Sequence, residues 1–255
     1  MKRRFDRLFA DIDNLFIRIQ AAGDWRRSVC RGERQGLMQR AASERVSRFW
    51  LTIAKQGPHG HQRRMTRAYR LDASSHEIAN TLSAQHGPDP WGGGDLAPGE
   101  FAPAVVRSQK TGQRVIRPMV WGYPAPNGIA PDGQVTWVPN VRNLESPFWI
   151  GNLRHSELRC LVPATSFMLR ATGKSHWFGI TGAPVFAMAG IWRDLTDMPV
   201  FAILLTASSG LPRQAGAFAM PVILEPEQQD KWLTADWKDA QPLVAPFAGA
   251  LSGAN

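Results

Sequence analysis

Six short apolar segments, each closed by turn-forming residues, limit what this chain can fold into. They run over 104–107, 115–121, 158–162, 176–181, 185–192 and 200–206. Apolar runs of this length, separated by turn signals, read as β-strands. No helical stretches alternate with them. Neither a GxGxxG fingerprint nor a P-loop occurs, which disfavours a parallel nucleotide-binding sheet. The expected fold is α+β and mainly β, with a few peripheral helices. One helix is expected at 75–84, capped by Ser74 or Ser75, and another at 226–233. The Gly/Pro-dense stretch 87–99 reads as a loop, and no repeat of solenoid period is present.

Charge divides the chain unevenly. Residues 1–64 carry 15 Lys/Arg against 6 Asp/Glu, whereas residues 65–255 carry 15 of each, so the formal net charge of +9 comes from the first quarter. A basic balance points to nucleic acid or an anionic membrane surface, and here that inference attaches to the N-terminal segment alone. Within it, Phe5, Leu8, Phe9, Ile12, Leu15 and Phe16 suit one apolar helix face. Three readings are open for 1–64: an amphipathic helix with a solvated basic tail, a basic arm for nucleic acid or lipid, and upstream sequence ahead of a true start at Met65.

Other classes are excluded more simply. Cys30 and Cys160 form no disulfide framework, and no CxxC or His-rich ligand spacing appears, so neither a metal site nor a cofactor is expected. No apolar run approaches the ~20 residues that span a bilayer. The Met1-Lys2-Arg3-Arg4 start meets Asp6, Asp11 and Asp13 rather than a signal-peptide core. A cytoplasmic monomer without membrane contact is the expectation. Classical catalytic motifs are absent as well: there is no GxSxG elbow around Ser209-Gly210 and no HExxH, and the six histidines are scattered.

Four blocks carry more information. The first is Trp121-Gly122-Tyr123 with Asn140-Val141-Arg142-Asn143 after a Pro-rich loop. The second is Arg159-Cys160-Leu161-Val162-Pro163-Ala164-Thr165-Ser166-Phe167. The third is Ala189-Gly190-Ile191-Trp192, and the fourth is Ala219-Met220-Pro221-Val222-Ile223-Leu224 with Trp232-Leu233. In order and spacing they resemble the SRAP (SOS response-associated peptidase, abasic-site processing) family over about residues 65–240. The resemblance implies an SRAP-like β-barrel or sheet core over 65–245, a basic extension at 1–64 and a tail at 246–255. It also implies single-stranded or abasic-site DNA as partner in the DNA-damage (SOS) response.

Family chemistry, carried over by position, implies particular residues. SRAP proteins resemble N-terminal nucleophile enzymes: a Cys exposed by removal of the initiator Met attacks the ring-opened sugar of an abasic site. Here Met65-Thr66-Arg67-Ala68-Tyr69 occupies the start motif, so Thr66 stands at the Cys position. A threonine can act as an N-terminal nucleophile when its own amine is the base. The family Glu corresponds to Leu169, and the family His to Gly216 or Ala217. Asn140 matches the residue that orients the sugar, and Arg142 pairs with phosphate in this reading. Arg159 is a further DNA-contact candidate. Trp121 is either a platform for an unpaired base or a core residue, and Cys160 reads as a buried strand residue.

Three functions follow from the resemblance. The first is single-stranded DNA binding with crosslinking or peptidase activity weak or lost, a pseudoenzyme. The second is an active enzyme using Thr66. The third is a non-catalytic scaffold or protein-interaction module on the same fold, which the neutral balance of 65–255 favours because phosphate contacts supply most non-specific affinity. A single face formed by Arg107, Arg114, Arg117, Arg142, Arg154 and Arg159 would favour DNA instead.

Overall fold

The computed structural model describes residues 68–87, 91–129, 135–195 and 198–254. The strands in chain order are β1 (Ala68–Leu71), β2 (Ala84–Gln85), β3 (Gly94–Leu96), β4 (Phe101–Arg107), β5 (Arg114–Trp121), β6 (Tyr123–Ile129), β7 (Val135–Val138) and β8 (Asn140–Val141). They continue as β9 (Arg159–Ala164), β10 (Ser166–Ala171), β11 (Lys174–Ile180), β12 (Phe186–Leu195), β13 (Met198–Ala207), β14 (Ala219–Pro221), β15 (Ile223–Leu224) and β16 (Leu251–Ala254). The helices are α1 (Ser75–Thr81), α2 (Pro147–Arg154), α3 (Gly210–Gln214), α4 (Pro226–Thr234) and α5 (Trp237–Ala240). All six expected strands and both expected helices are found, with ends moved by a few residues.

The larger sheet closes on itself. β13, β12, β9, β4 and β5 are neighbours in that order, and β13 also pairs with β5 in parallel through Val200↔Val120 and Phe201↔Trp121. The result is a five-stranded barrel without a free edge inside the ring. β9 and the buried stretches of β4, β12 and β13 read as apolar runs because both faces are covered there. Val105, Leu161, Ala187, Met188, Ile191 and Ala202 are all fully buried. At Gly190 a Cβ would stand 2.7 Å from the Cys160 Sγ and 2.9 Å from Val162 Cγ2, so the close approach of β12 to β9 requires glycine there.

A second sheet, ordered β16-β11-β10-β1-β3, lies against the barrel. The chain crosses between the two at Thr165, the single residue separating β9 from β10. That residue is pinned to β1 twice, its N–H and its hydroxyl both donating to the Arg70 carbonyl at 2.8 and 3.1 Å. Across the junction Tyr69 meets Trp121 edge-on with ring centroids 4.9 Å apart, and Phe167 meets Phe186 at 6.2 Å.

Within the segment expected as a tail, Leu251–Ala254 form a strand. β16 pairs with β11 through Trp177↔Ala254 to Ile180↔Leu251, so the C-terminal segment forms the edge of the second sheet. The expected 87–99 loop likewise contains β3, which pairs with β1. α1 is capped by Ser74: its hydroxyl accepts from the Glu77 N–H at 3.2 Å while a Glu77 carboxylate oxygen accepts from the Ser74 N–H at 2.7 Å. The expectations for residues 1–64 and for Thr66 lie outside the described residues. Among the described residues no helix is long and apolar enough to cross a membrane.

Candidate functional site

A cavity of about 340 Å³ opens where β1, β8, β10, β13 and β14 come together. Each strand reaches it through its pairing. β8 lies parallel to β13 through Ile203↔Asn140 and Leu204↔Val141, which sets Asn140 and the following Arg142 on one side. β14 is antiparallel to β13 through Leu205↔Pro221 to Ala207↔Ala219, which sets Ala217, Phe218 and Ala219 on another. β10, held to β1 through Ala68↔Met168, contributes Met168, Leu169 and Arg170.

The positions singled out by the four blocks therefore converge. Asn140, Arg142, Leu169 and Ala217 all line the cavity, as does Ala68 at the first described residue of β1. Gly216 and Ala217 are equivalent candidates in the sequence, and the structure separates them: Ala217 is the lining residue. Gly216 has φ +91, a backbone conformation that L side chains rarely adopt, and a Cβ there would meet Thr172 Cγ2 at 3.3 Å.

Two other candidates lie in the interior, Arg159 against its expected role in DNA contact and Trp121 in line with its core reading. Arg159 is 1% exposed and faces inward. Its Nε donates to the Leu153 carbonyl at 3.0 Å, and one guanidinium nitrogen donates to the carbonyls of Trp232 and Ala235 at 2.9 and 2.7 Å. The guanidinium carbon also sits over the Trp232 ring at 5.4 Å and the Trp237 ring at 5.6 Å. No phosphate can reach it. Trp121 is 3% exposed, and its indole N–H donates to the Pro139 carbonyl at 3.0 Å. It is part of the cavity wall, with no open face for a base.

The six arginines do not form one face. Arg114 donates to Asp230 at 2.7 Å, Gln229 at 2.9 Å and the Leu82 carbonyl at 2.8 Å. Arg117 pairs with Asp194 at 3.3 Å and stands 4.8 Å over the Trp192 ring. Arg107 donates to the Gly112 carbonyl. Arg142 differs: it is exposed, lines the cavity, and has no ion pair or hydrogen bond among the described residues. Arg170, also exposed and lining, is in the same condition. Sequence reasoning misses Arg170, and the one available signal is its place directly after Leu169, where the second block continues. It also misses Phe218, which is 95% exposed on the cavity rim and stands immediately before the fourth block.

Among the described residues the lining holds no carboxylate, imidazole or thiol. Beside Arg142 and Arg170, the described lining carries the Tyr69 hydroxyl, which is pushed well above the ordinary tyrosine value by burial first, then by Cys160 and Glu100. It stays protonated at neutral pH. Cys160 is fully buried, and that burial raises its thiol pKa, so it offers no thiolate. His176 faces Leu169 in the β10–β11 register, with Nε2 buried and unpartnered, yet it is not among the lining residues.

A closed β-barrel flanked by a smaller sheet, with a basic cavity at their junction, defines the class. Within it the chain belongs to the SOS response associated peptidase (SRAP) family, whose model matches residues 64–253. Similar folds occur in crystal structures of a Bordetella bronchiseptica protein (19% identity, TM-score 0.58, covering 74% of this chain and 99% of that one) and a Bacteroides thetaiotaomicron protein (17%, 0.58, 74% and 91%). A phage-related protein from Bordetella bronchiseptica is similar at 17% identity and TM-score 0.52, covering 74% of this chain and 94% of its own. No curated protein matches.

Proposed function

We propose that this SRAP protein binds single-stranded DNA at the cavity and no longer forms the family's covalent abasic-site crosslink. The observation that carries the reading is the composition of the cavity wall: Asn140, Arg142 and Arg170 supply polar and cationic groups, while Leu169 and Ala217 stand where the resemblance puts the acid and the imidazole. Arginines without a carboxylate partner suit phosphate. Proton transfer at a ring-opened sugar needs a positioned acid or base within hydrogen-bond reach, and the described residues of this wall provide none. Thr66 would add at most a hydroxyl and, after removal of everything before it, an amine.

The test is an assay on single-stranded DNA carrying one abasic site, with the full chain and with a version beginning at Met65. Electrophoresis under denaturing conditions reads covalent capture, with and without borohydride, and anisotropy reads binding. Binding without a denaturation-resistant band is the expected result. A stable band from the Met65 version, lost in Thr66→Val, would overturn the loss of chemistry. Absence of binding by either version would favour the scaffold reading, to which the equal numbers of acidic and basic residues in 65–255 also point.

A further inference from the structure

We infer that the cavity receives an intact unpaired nucleotide rather than a stripped sugar, with Phe218 stacking on its base and Arg142 and Arg170 holding its phosphate. The inference rests on the single-strand reading above and narrows it to a ligand class. Three features of the rim and wall carry it.

The first is Phe218. Its ring is 95% exposed on the cavity rim, while the backbone beneath it is fixed. The Phe218 carbonyl accepts from the Ser208 N–H at 3.2 Å, the Ala217 N–H donates to the Pro212 carbonyl at 2.9 Å, and the Ser208 hydroxyl donates to the Ala217 carbonyl. On the other side Ala219 begins β14, paired with Ala207. An aromatic ring held out on an ordered backbone loses little conformational freedom when a flat partner covers it. Small neighbours, Ala217 and Ala219, leave both approaches to the ring open.

The second is charge. Arg142 and Arg170 are exposed on the same cavity and lack counter-ions among the described residues, whereas Arg70, Arg114 and Arg117 are each tied to an aspartate. Among the described residues none that lines the cavity is acidic, so none competes for them. The third is the wall itself. Met168, Leu169, Met188, Ile203 and Leu205 make it apolar. With Arg142 and Arg170 engaged by phosphate, Asn140 is the polar side chain among the described residues left for a sugar's hydroxyls, and the apolar remainder of the wall gives them no partner. A base has an apolar face to offer, and stacking tolerates any sequence.

The test compares the full chain with two short single strands of equal length in fluorescence anisotropy: oligothymidylate, and a strand built wholly of tetrahydrofuran abasic residues. The intact strand should bind more tightly. Phe218→Ala should weaken the intact strand by roughly tenfold or more and leave the abasic strand within about twofold, while Phe218→Trp retains the preference. Arg142→Ala with Arg170→Ala should weaken both strands and flatten the dependence of log Kd on log salt by roughly 0.7 for each phosphate no longer neutralised. Equal binding of the two strands by the unaltered protein, or an unchanged intact-strand affinity in Phe218→Ala, overturns the inference alone. Failure of the unaltered protein to bind either strand overturns the single-strand reading beneath it. Phe218 is too exposed for its removal to unfold the chain, and an unchanged melting temperature checks this.

Discussion

Arg159 holds together parts of the chain that no local pattern connects. The three carbonyls that accept from it come from the end of α2, the end of α4 and the turn before α5. Burial lowers its pKa, but an arginine keeps its charge in proteins. Charge-assisted bonds of this kind contribute about 1.5–3 kcal/mol each, and an orphaned buried carbonyl costs a similar amount. Arg159→Ala should therefore destabilise the fold by about 3 kcal/mol or more, a fall in Tm of roughly 6 °C or more for a domain of this size. Lysine lacks the planar fork and should restore little of it. Single-strand affinity per folded molecule should be unchanged, which separates this residue from Arg142. Thermal denaturation followed by anisotropy on the surviving fold measures both.

Individual elements give two further expectations. In β12, Gly190→Ala forces a methyl against Cys160, Val162 and the Ala202 carbonyl at 2.7, 2.9 and 3.3 Å. Overpacking of a closed barrel costs about 1–3 kcal/mol, and the midpoint of urea denaturation should fall accordingly with an unchanged slope. At α1, the Ser74 N–H and hydroxyl hydrogen bonds lower the pKa of Glu77 from its ordinary 4.5. A carboxylate whose folded pKa is depressed stabilises the fold above its unfolded pKa, and that contribution disappears as pH falls through the folded value. Protection of α1 amides from hydrogen exchange should thus weaken below about pH 4.5, and Glu77→Gln should remove this dependence. Ser74→Ala should cost about 1 kcal/mol at neutral pH by removing the cap.

Much of this level is legible in the sequence. The six strand segments and the Ser74 cap are local patterns, and they reappear almost unchanged. α2 is not legible, although Ser146 and Pro147 are its N-cap and first residue; an eight-residue helix with both Trp149 and Leu153 buried shows too short a periodicity to stand out. β6, β7 and β8 are equally hidden, because Pro124 and Pro126 interrupt the β6 segment, β7 is four residues long and β8 only two.

For the molecule as a whole, the proposed function predicts that the family chemistry can be installed by changing side chains in an intact cavity. A version beginning at Met65 and carrying Thr66→Cys, Leu169→Glu and Ala217→His should form a denaturation-resistant band with abasic single-stranded DNA without borohydride. Leaving out any one of the three should reduce the yield, and placing the histidine at position 216 instead should not substitute, since φ there is +91. Gel analysis of these versions decides it. The sequence by itself determined the mainly β architecture, the family and the identities of Leu169, Gly216 and Ala217, because strand period, block order and residue identity are properties of the chain read along its length. Only the tertiary structure decided that Arg159 and Trp121 are interior, that Ala217 rather than Gly216 faces the cavity, and that Arg170 and Phe218 stand beside Asn140 and Arg142. Those facts depend on which face of each strand the barrel and the second sheet turn inward, and that is set by pairings between segments up to about a hundred residues apart, such as β13 with β5 in the barrel and β1 with β10 in the second sheet.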